Sequence, residues 1–129
     1  DCNVCAPKNE MDGTIVRMTK DGNDVSVIAR GVRNSVGLDW NPADGRMWFT
    51  DNGRDLMGDD VPPCELNRLA DFGEHFGFPA CHGADIADPE FGSTEACRRS
   101  TPPQVEIAAH SSPLGMIFYR GGMFPPEYD

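Results

Sequence analysis

The strongest limit on what this chain folds into is the brevity of its apolar runs, each stopped by turn-forming residues. An amphipathic helix shows as about ten or more residues of 3.6-residue patterning, and few stretches here have it. Thr14 to Met18 reads as a strand, Lys20-Asp21-Gly22-Asn23 as the tight turn after it, and Val25 to Ala29 as the returning strand. Val36 to Trp40 is predicted as the next strand, Asn41-Pro42-Ala43-Asp44-Gly45 as a strong turn, and Met47 to Thr50 as its partner. Glu65 to Leu69, Gln104 to Ala108 and Leu114 to Tyr119 complete the expected strands, and residues 71–103 read as one long loop. The 14 glycines and 11 prolines supply the turns that this all-β pattern needs.

Two echoes run along the chain. Ser35 to Trp40 resembles Ser112 to Phe118: in both, a small residue and a glycine lead into an apolar strand that ends in an aromatic region. Thr14 to Ala29 reads as the outer two strands of one four-stranded sheet, and Val36 to Thr50 as the inner two of the next. Repeated antiparallel four-stranded units point to a β-propeller. The spacing from Gly37 to Gly115 exceeds the usual ~40–50 residues per blade, and the 71–103 loop accounts for the excess. The expected partition gives residues 1–30 as the outer half of one blade, 31–108 as one complete blade, and 109–129 as the start of a third. That makes about one and a half to two blades of a propeller. Such a piece cannot close a ring, and its open ends leave strand edges unpaired. Because the chain opens Asp1-Cys2 without Met, we read it as an internal segment of a longer protein.

Charge narrows the partners. The 21 acidic and 11 basic groups give a net charge of −10, which argues against nucleic acid. An acidic solvated surface and the binding of a hard cation such as calcium both fit it. No run is long enough to cross a bilayer as a helix, and no signal-peptide pattern is present. Five cysteines fit oxidising surroundings, periplasmic or secreted. Cys81 and Cys97 flank a loop rich in Gly, Asp and Pro and make a plausible staple; Cys2 and Cys5 could pair locally, leaving Cys64 over. Ala6 follows Cys5 where haem attachment needs His, and no second close cysteine pair exists for zinc.

Antiparallel connectivity also sorts the loops by face. The tight turns Lys20–Asn23 and Asn41–Arg46 fall on one side. The irregular connections Asp1–Asp12, Gly31–Asn34, Asp51–Pro63 and Ala109–Pro113 fall on the other, where function is expected near Arg33, Asn34, Asn52, Gly53 and His110. Arg33 lies beside an innermost strand and needs an anionic partner. An internal ion pair and an anionic ligand both remain open. The segment Asp51 to Asp60 carries four carboxylates but fails the EF-hand offsets, so an irregular calcium loop and an exposed acidic loop both remain open.

Taken in order, Gly31 to Leu38 (GVRNSVGL), Trp48 to Asp55 (WFTDNGRD), Gly58 to Pro63 (GDDVPP), Glu65-Leu66-Asn67, His75 to Pro79 (HFGFP) and Asp88 to Gly92 (DPEFG) resemble the quinone-dependent glucose/sorbosone dehydrogenase family, its sorbosone-like branch above all. The resemblance implies a six-bladed propeller that oxidises a sugar or polyol aldehyde with pyrroloquinoline quinone (PQQ) and Ca2+, passing electrons to an external acceptor. It implies that Arg33 and Asn34 contact PQQ and that main-chain carbonyls at Gly53 and Arg54 hold calcium. Asp60 and Glu65 match an acidic stretch that binds further calcium, although this chain inserts residues between them. The family's soluble glucose enzymes have Pro where this chain has Arg54. The general base, a histidine, is expected before residue 1, and further basic contacts to PQQ after residue 129. His75 and His82 are read as structural. Two rivals stand beside this reading: a calcium-dependent lactonase propeller, which would use metal-activated water, and a non-catalytic propeller that binds a protein partner.

Overall fold

The computed structural model describes residues 3–125 and residue 127. Its elements run β1 (Thr14–Arg17), β2 (Ser26–Arg30), β3 (Leu38–Trp40), β4 (Met47–Asp51), β5 (Cys64–Leu69), β6 (Glu74–His75), β7 (Cys81–His82), β8 (Ile86–Ala87), α1 (Thr94–Arg99) and β9 (Val105–Ile107). The chain is thus nearly all β.

The organising unit is the antiparallel sheet β3-β4-β5-β9. The turn from β3 to β4 forms because Asn41 takes the Ala43 N–H on its side chain and Gly45 sits at φ 69°. A second sheet, β1-β2-β6, places β1 antiparallel and β6 parallel to β2. Strand alternation sends Met47, Phe49 and Asp51 to the same face as their partners Leu69, Asn67 and Glu65. The apolar end of that face packs on Ile28, Ala29, Val32 and Phe76, with Phe49 and Phe76 edge to face at 4.9 Å. Its other end is acidic. The core therefore ends at Asp51 and Glu65, where the site begins.

The opposite face of the blade carries Trp48 and Thr50 and meets residues 113–120. Thr50 Oγ donates to the Leu114 carbonyl, Trp48 stacks edge-on against Phe118, and Asp39 accepts from the Phe118 N–H and from Arg120. Leu114–Tyr119, expected as a strand, has no ladder partner among the described residues; these side-chain ties hold it instead. Gly37 approaches this segment so closely that a Cβ there would meet the Leu114 carbonyl and the Met116 nitrogen. The two glycines of the sequence echo, Gly37 and Gly115, are thus neighbours in space.

Residues 71–103, expected as one loop, contain β6, β7, β8 and α1. The strands are two residues each, too short to print a period. The helix has Ser93 as N-cap and buries only Cys97. Cys97 is disulfide-bonded to Cys81, and Cys64 is a buried thiol. The local Cys2–Cys5 pairing lies outside the described residues, because Cys2 does. No helix among the described residues is long and apolar enough to cross a membrane.

Candidate cofactor site

The site starts at a buried carboxylate. Asp51, the last residue of β4, accepts from the backbone N–H of Arg33 at 2.8 Å and from that of Asn34. Burial pushes the Asp51 carboxyl up to about 6, against the pull of those two N–H groups and the Arg33 charge. Asn52 extends the lock, its Nδ2 donating to the carbonyls of Asn34 at 3.0 Å and Pro113 at 3.3 Å. Gly53 is required next: a Cβ would lie 2.6 Å from the Pro63 carbonyl.

Arg33 reaches out from this anchored loop, its side chain 15% exposed. Nη1 donates to the carbonyls of Asn52 at 3.1 Å and Gly53 at 2.8 Å. Nε donates to the Asn3 carbonyl at 2.9 Å and Nη2 to Asn3 Oδ1 at 3.1 Å. Among the described residues the one carboxylate within 4.0 Å is that of Asp55, at 4.0 Å from Nη2. The charge is therefore held mainly by neutral oxygens. Asn3 in turn grips Asp55, donating to its carbonyl and accepting from its N–H, both at 2.8 Å. His110 donates from Nε2 to the Gly58 carbonyl at 2.9 Å. These bonds bring all four irregular connections together.

Arg54 has the opposite surroundings. Its side chain is 5% exposed, and Nη1 lies 2.6 Å from Asp88 Oδ2, whose side chain is fully buried. Nη2 is 3.5 Å from Glu90. Asp88 also accepts from His82 Nε2 at 2.9 Å and from the backbone N–H groups of Glu90 and Phe91. Burial pushes the Asp88 carboxyl up, but the hydrogen bonds from His82, Arg54 and the two N–H groups outweigh it and hold it below the usual carboxylate range. Burial lowers the His82 pKa against the opposing pull of Asp88, and the carboxylate partner requires a proton on Nε2. His75 accepts the Gly77 N–H.

The remaining expected site residues are not all together. Asn34 is exposed, and its side-chain amide makes no hydrogen bond among the described residues. Glu65 is buried; it accepts from Gly83 N at 2.7 Å and Asn67 Nδ2 at 2.9 Å. Burial, reinforced by the Asp51 and Glu106 charges, pushes it up to about 7. Asp60 is exposed, and no hydrogen bond or ion pair joins it to Glu65. Among the described residues no group of three or more His, Cys, Asp or Glu side chains could hold a metal. Oxygen donors of another kind are present: Asn52 Oδ1 is buried with no partner among the described residues, beside the Asn52 and Gly53 carbonyls that Arg33 caps. A cavity of about 10 Å³ lies between Asp51, Asn52 and Glu65, about the room of one water.

Asn3 and Asp88 were not assigned to the site from the sequence, and Asp51 and Asp55 entered only as members of an acidic segment. Asp51 carried a signal, as a carboxylate ending an otherwise apolar strand. The others act across 30 or more residues of chain, which spacing does not encode.

A four-stranded meander flanked on both faces, with its irregular loops gathered at one end, defines a propeller piece with the candidate site on the loop side. The chain belongs to the glucose/sorbosone dehydrogenase family, whose pattern it matches over residues 7–129. It is 39% identical over 125 residues to an uncharacterized protein of Borreliella burgdorferi, covering 95% of this chain and 32% of that protein. It thus spans about a third of the length of that relative. Among solved structures, it resembles the calcium structure of a Trichoderma reesei carbohydrate-active enzyme of family AA12, with TM-score 0.64 and 26% identity over 70% of this chain and 30% of the other. It also resembles the PQQ-bound aldose sugar dehydrogenase of Streptomyces coelicolor, with TM-score 0.57 and 27% identity over 80% of this chain and 28% of the other. The expected propeller architecture is therefore the observed one.

Proposed function

We propose that this chain is the part of a PQQ- and calcium-dependent sugar dehydrogenase that presents Arg33 and Asn34 to the quinone cofactor. The observation that carries the reading is the setting of Arg33. Its guanidinium is fixed by four hydrogen bonds to oxygens of uncharged groups, with no carboxylate in hydrogen-bonding range among the described residues. An arginine held rigid but not neutralised suits an anionic ligand, and PQQ is a tricarboxylate. The exposed Asn34 amide supplies donors and an acceptor beside it.

The oxygen set fits a hard cation. Main-chain carbonyls at Gly53 and Arg54, with Asn52 Oδ1 nearby, would hold the calcium beside the cofactor. Arg33 Nη1 already donates to the Gly53 carbonyl, so that oxygen would have to serve both the guanidinium and a cation. Asp60 and Glu65 are the candidates for further calcium. When bound, the quinone supplies a hydride acceptor, with calcium polarising its carbonyl. This chain's own residues bind and orient it: Asp51 fixes the Arg33-Asn34 backbone, and Asn52 ties that loop to Pro113.

The substrate in this reading is a sorbosone-like aldose or polyol aldehyde, with an external electron acceptor. The base lies outside this chain. Residues 1–30, 31–108 and 109–129 belong to three successive blades. The Cys81–Cys97 disulfide supports a periplasmic or secreted setting. The test is to titrate PQQ with calcium into the full-length protein and follow dye reduction with an aldose panel. Quinone-dependent oxidation is expected. Failure to bind quinone, with hydrolysis of a lactone, would transfer the assignment to the lactonase reading; neither activity would leave a binding module.

A further inference from the structure

Asp55 is an exposed carboxylate on a fixed backbone. Asn3 clamps its N–H and its carbonyl at 2.8 Å each, while the side chain is 70% exposed. Its two oxygens face different groups. Oδ2 lies 4.0 Å from Arg33 Nη2, and Oδ1 lies 3.8 Å from His110 Nδ1. Both gaps are too long for a direct hydrogen bond, and the Arg33 gap admits a hydroxyl that donates to Oδ2 while accepting from Nη2. The buried pair Arg54 and Asp88, by contrast, closes to 2.6 Å.

Both flanking groups are already held by their other atoms. Arg33 is fixed by carbonyls, and His110 spends Nε2–H on Gly58, leaving Nδ1 toward Asp55. The loops carrying the pair are also strained: His110 at φ 60°, Ser112 at 50° and Leu56 at 66° are non-glycine residues in the left-handed region. Leu56, next to Asp55, is 88% exposed and offers an apolar surface beside the polar cluster.

We propose that Asp55, set between Arg33 and His110, is a specificity-determining residue that binds two adjacent hydroxyl groups of a neutral sugar or polyol. This rests on the sugar-dehydrogenase reading. The carboxylate accepts from two hydroxyls, the remaining Arg33 Nη2–H donates to the oxygen of the one at Oδ2, His110 Nδ1 accepts from a neighbouring hydroxyl, and Leu56 covers a C–H face. An anionic substrate is disfavoured by the same carboxylate.

The experiment uses the full-length protein with PQQ and calcium, comparing wild type with Asp55→Asn and His110→Gln. Calorimetry measures binding of a non-oxidisable anhydro-alditol, steady-state kinetics compares an aldose with analogues lacking one hydroxyl, and a separate titration measures quinone affinity. Asp55→Asn is expected to weaken alditol binding and raise KM by roughly ten- to a hundredfold, with a smaller change in kcat. The penalty should shrink for one deoxy analogue, quinone affinity should not fall, since the lost carboxylate charge opposes an anionic ligand at Arg33, and His110→Gln should fall between. Equal losses for the parent sugar and every deoxy analogue, or a parallel loss of quinone affinity, would make the cluster a structural tie and overturn the proposal. A wild type that oxidises the panel while Asp55→Asn matches it overturns the proposal alone. A wild type that binds and oxidises no member sinks the dehydrogenase reading and the proposal with it.

Discussion

Two arginines, Arg33 and Arg54, lie 21 positions apart on loops at the same end of the blade, and their surroundings differ in kind. Arg54 is neutralised by a fully buried carboxylate at 2.6 Å. Arg33 is surrounded by carbonyl oxygens, and its one carboxylate neighbour among the described residues is exposed and 4.0 Å away. The first arrangement completes itself inside the chain. The second spends hydrogen bonds on orientation and leaves charge over. Residue type does not separate structural from ligand-facing arginines here; the charge of the partner does.

The sharpest way to break this contrast is to remove each arginine and measure stability. Arg54→Ala strands Asp88 in the core with only His82 and two N–H groups, and breaking a buried pair costs about 3–5 kcal/mol. Denaturant unfolding of the cofactor-free, full-length protein should show that loss, and a much smaller one for Arg33→Ala. Equal losses would erase the distinction.

The disulfide should rank next. Cys81–Cys97 closes 16 residues around β7, β8 and α1, and β7 carries the His82 that bonds to Asp88. Replacing both cysteines by serine should cost about 3 kcal/mol on the chain-entropy account. Quinone affinity should stay near wild type, because the staple belongs to the Arg54 side. Peptide mapping without reductant should find this bridge and an unpaired Cys64.

Protonation separates the two regions by sign. Asp88 is held below the usual carboxylate range, so its contribution is present above that range and lost on acidification through its lowered folded value. Asp51 and Glu65 are raised to about 6 and about 7. There the folded state keeps protons that the unfolded chain releases, so their contribution is fully present at low pH and lost as pH rises through those values. Melting temperatures of the chelator-treated protein should therefore fall between about pH 4 and about pH 7. Asp51→Asn and Glu65→Gln should flatten that slope. An unchanged slope would mean that neither group is protonated in the folded state.

Much of the scaffold was legible beforehand because its signals are local. The Gly22 and Gly45 turns bracket β1, β2, β3 and β4, and the Gly37/Gly115 echo marks two positions that touch. Illegible parts have two physical causes. β6, β7 and β8 are two residues each, too short to carry a period, and Leu114–Tyr119 is held by side chains where a strand would need a ladder neighbour. Within the site, the Arg33-Asn34 pair stood out, but its meaning depends on Asn3, Asp51 and Asp55. Those contacts are made by folding, and the sequence does not show which partner either arginine meets.

The central claim is that the Arg33 charge is kept for an anionic cofactor, and quinone affinity measures that directly. PQQ should be titrated with calcium into full-length wild type, Arg33→Ala and Arg33→Lys, with binding read by absorbance and activity by dye reduction. Arg33→Ala should bind PQQ roughly ten- to a hundredfold more weakly, as expected for the loss of charge-assisted hydrogen bonds. Arg33→Lys should recover only part, since an ammonium keeps the charge without the planar fork. An unchanged PQQ affinity in Arg33→Ala, accompanied by a lower melting temperature of the cofactor-free protein, would contradict the account and make Arg33 a structural residue like Arg54.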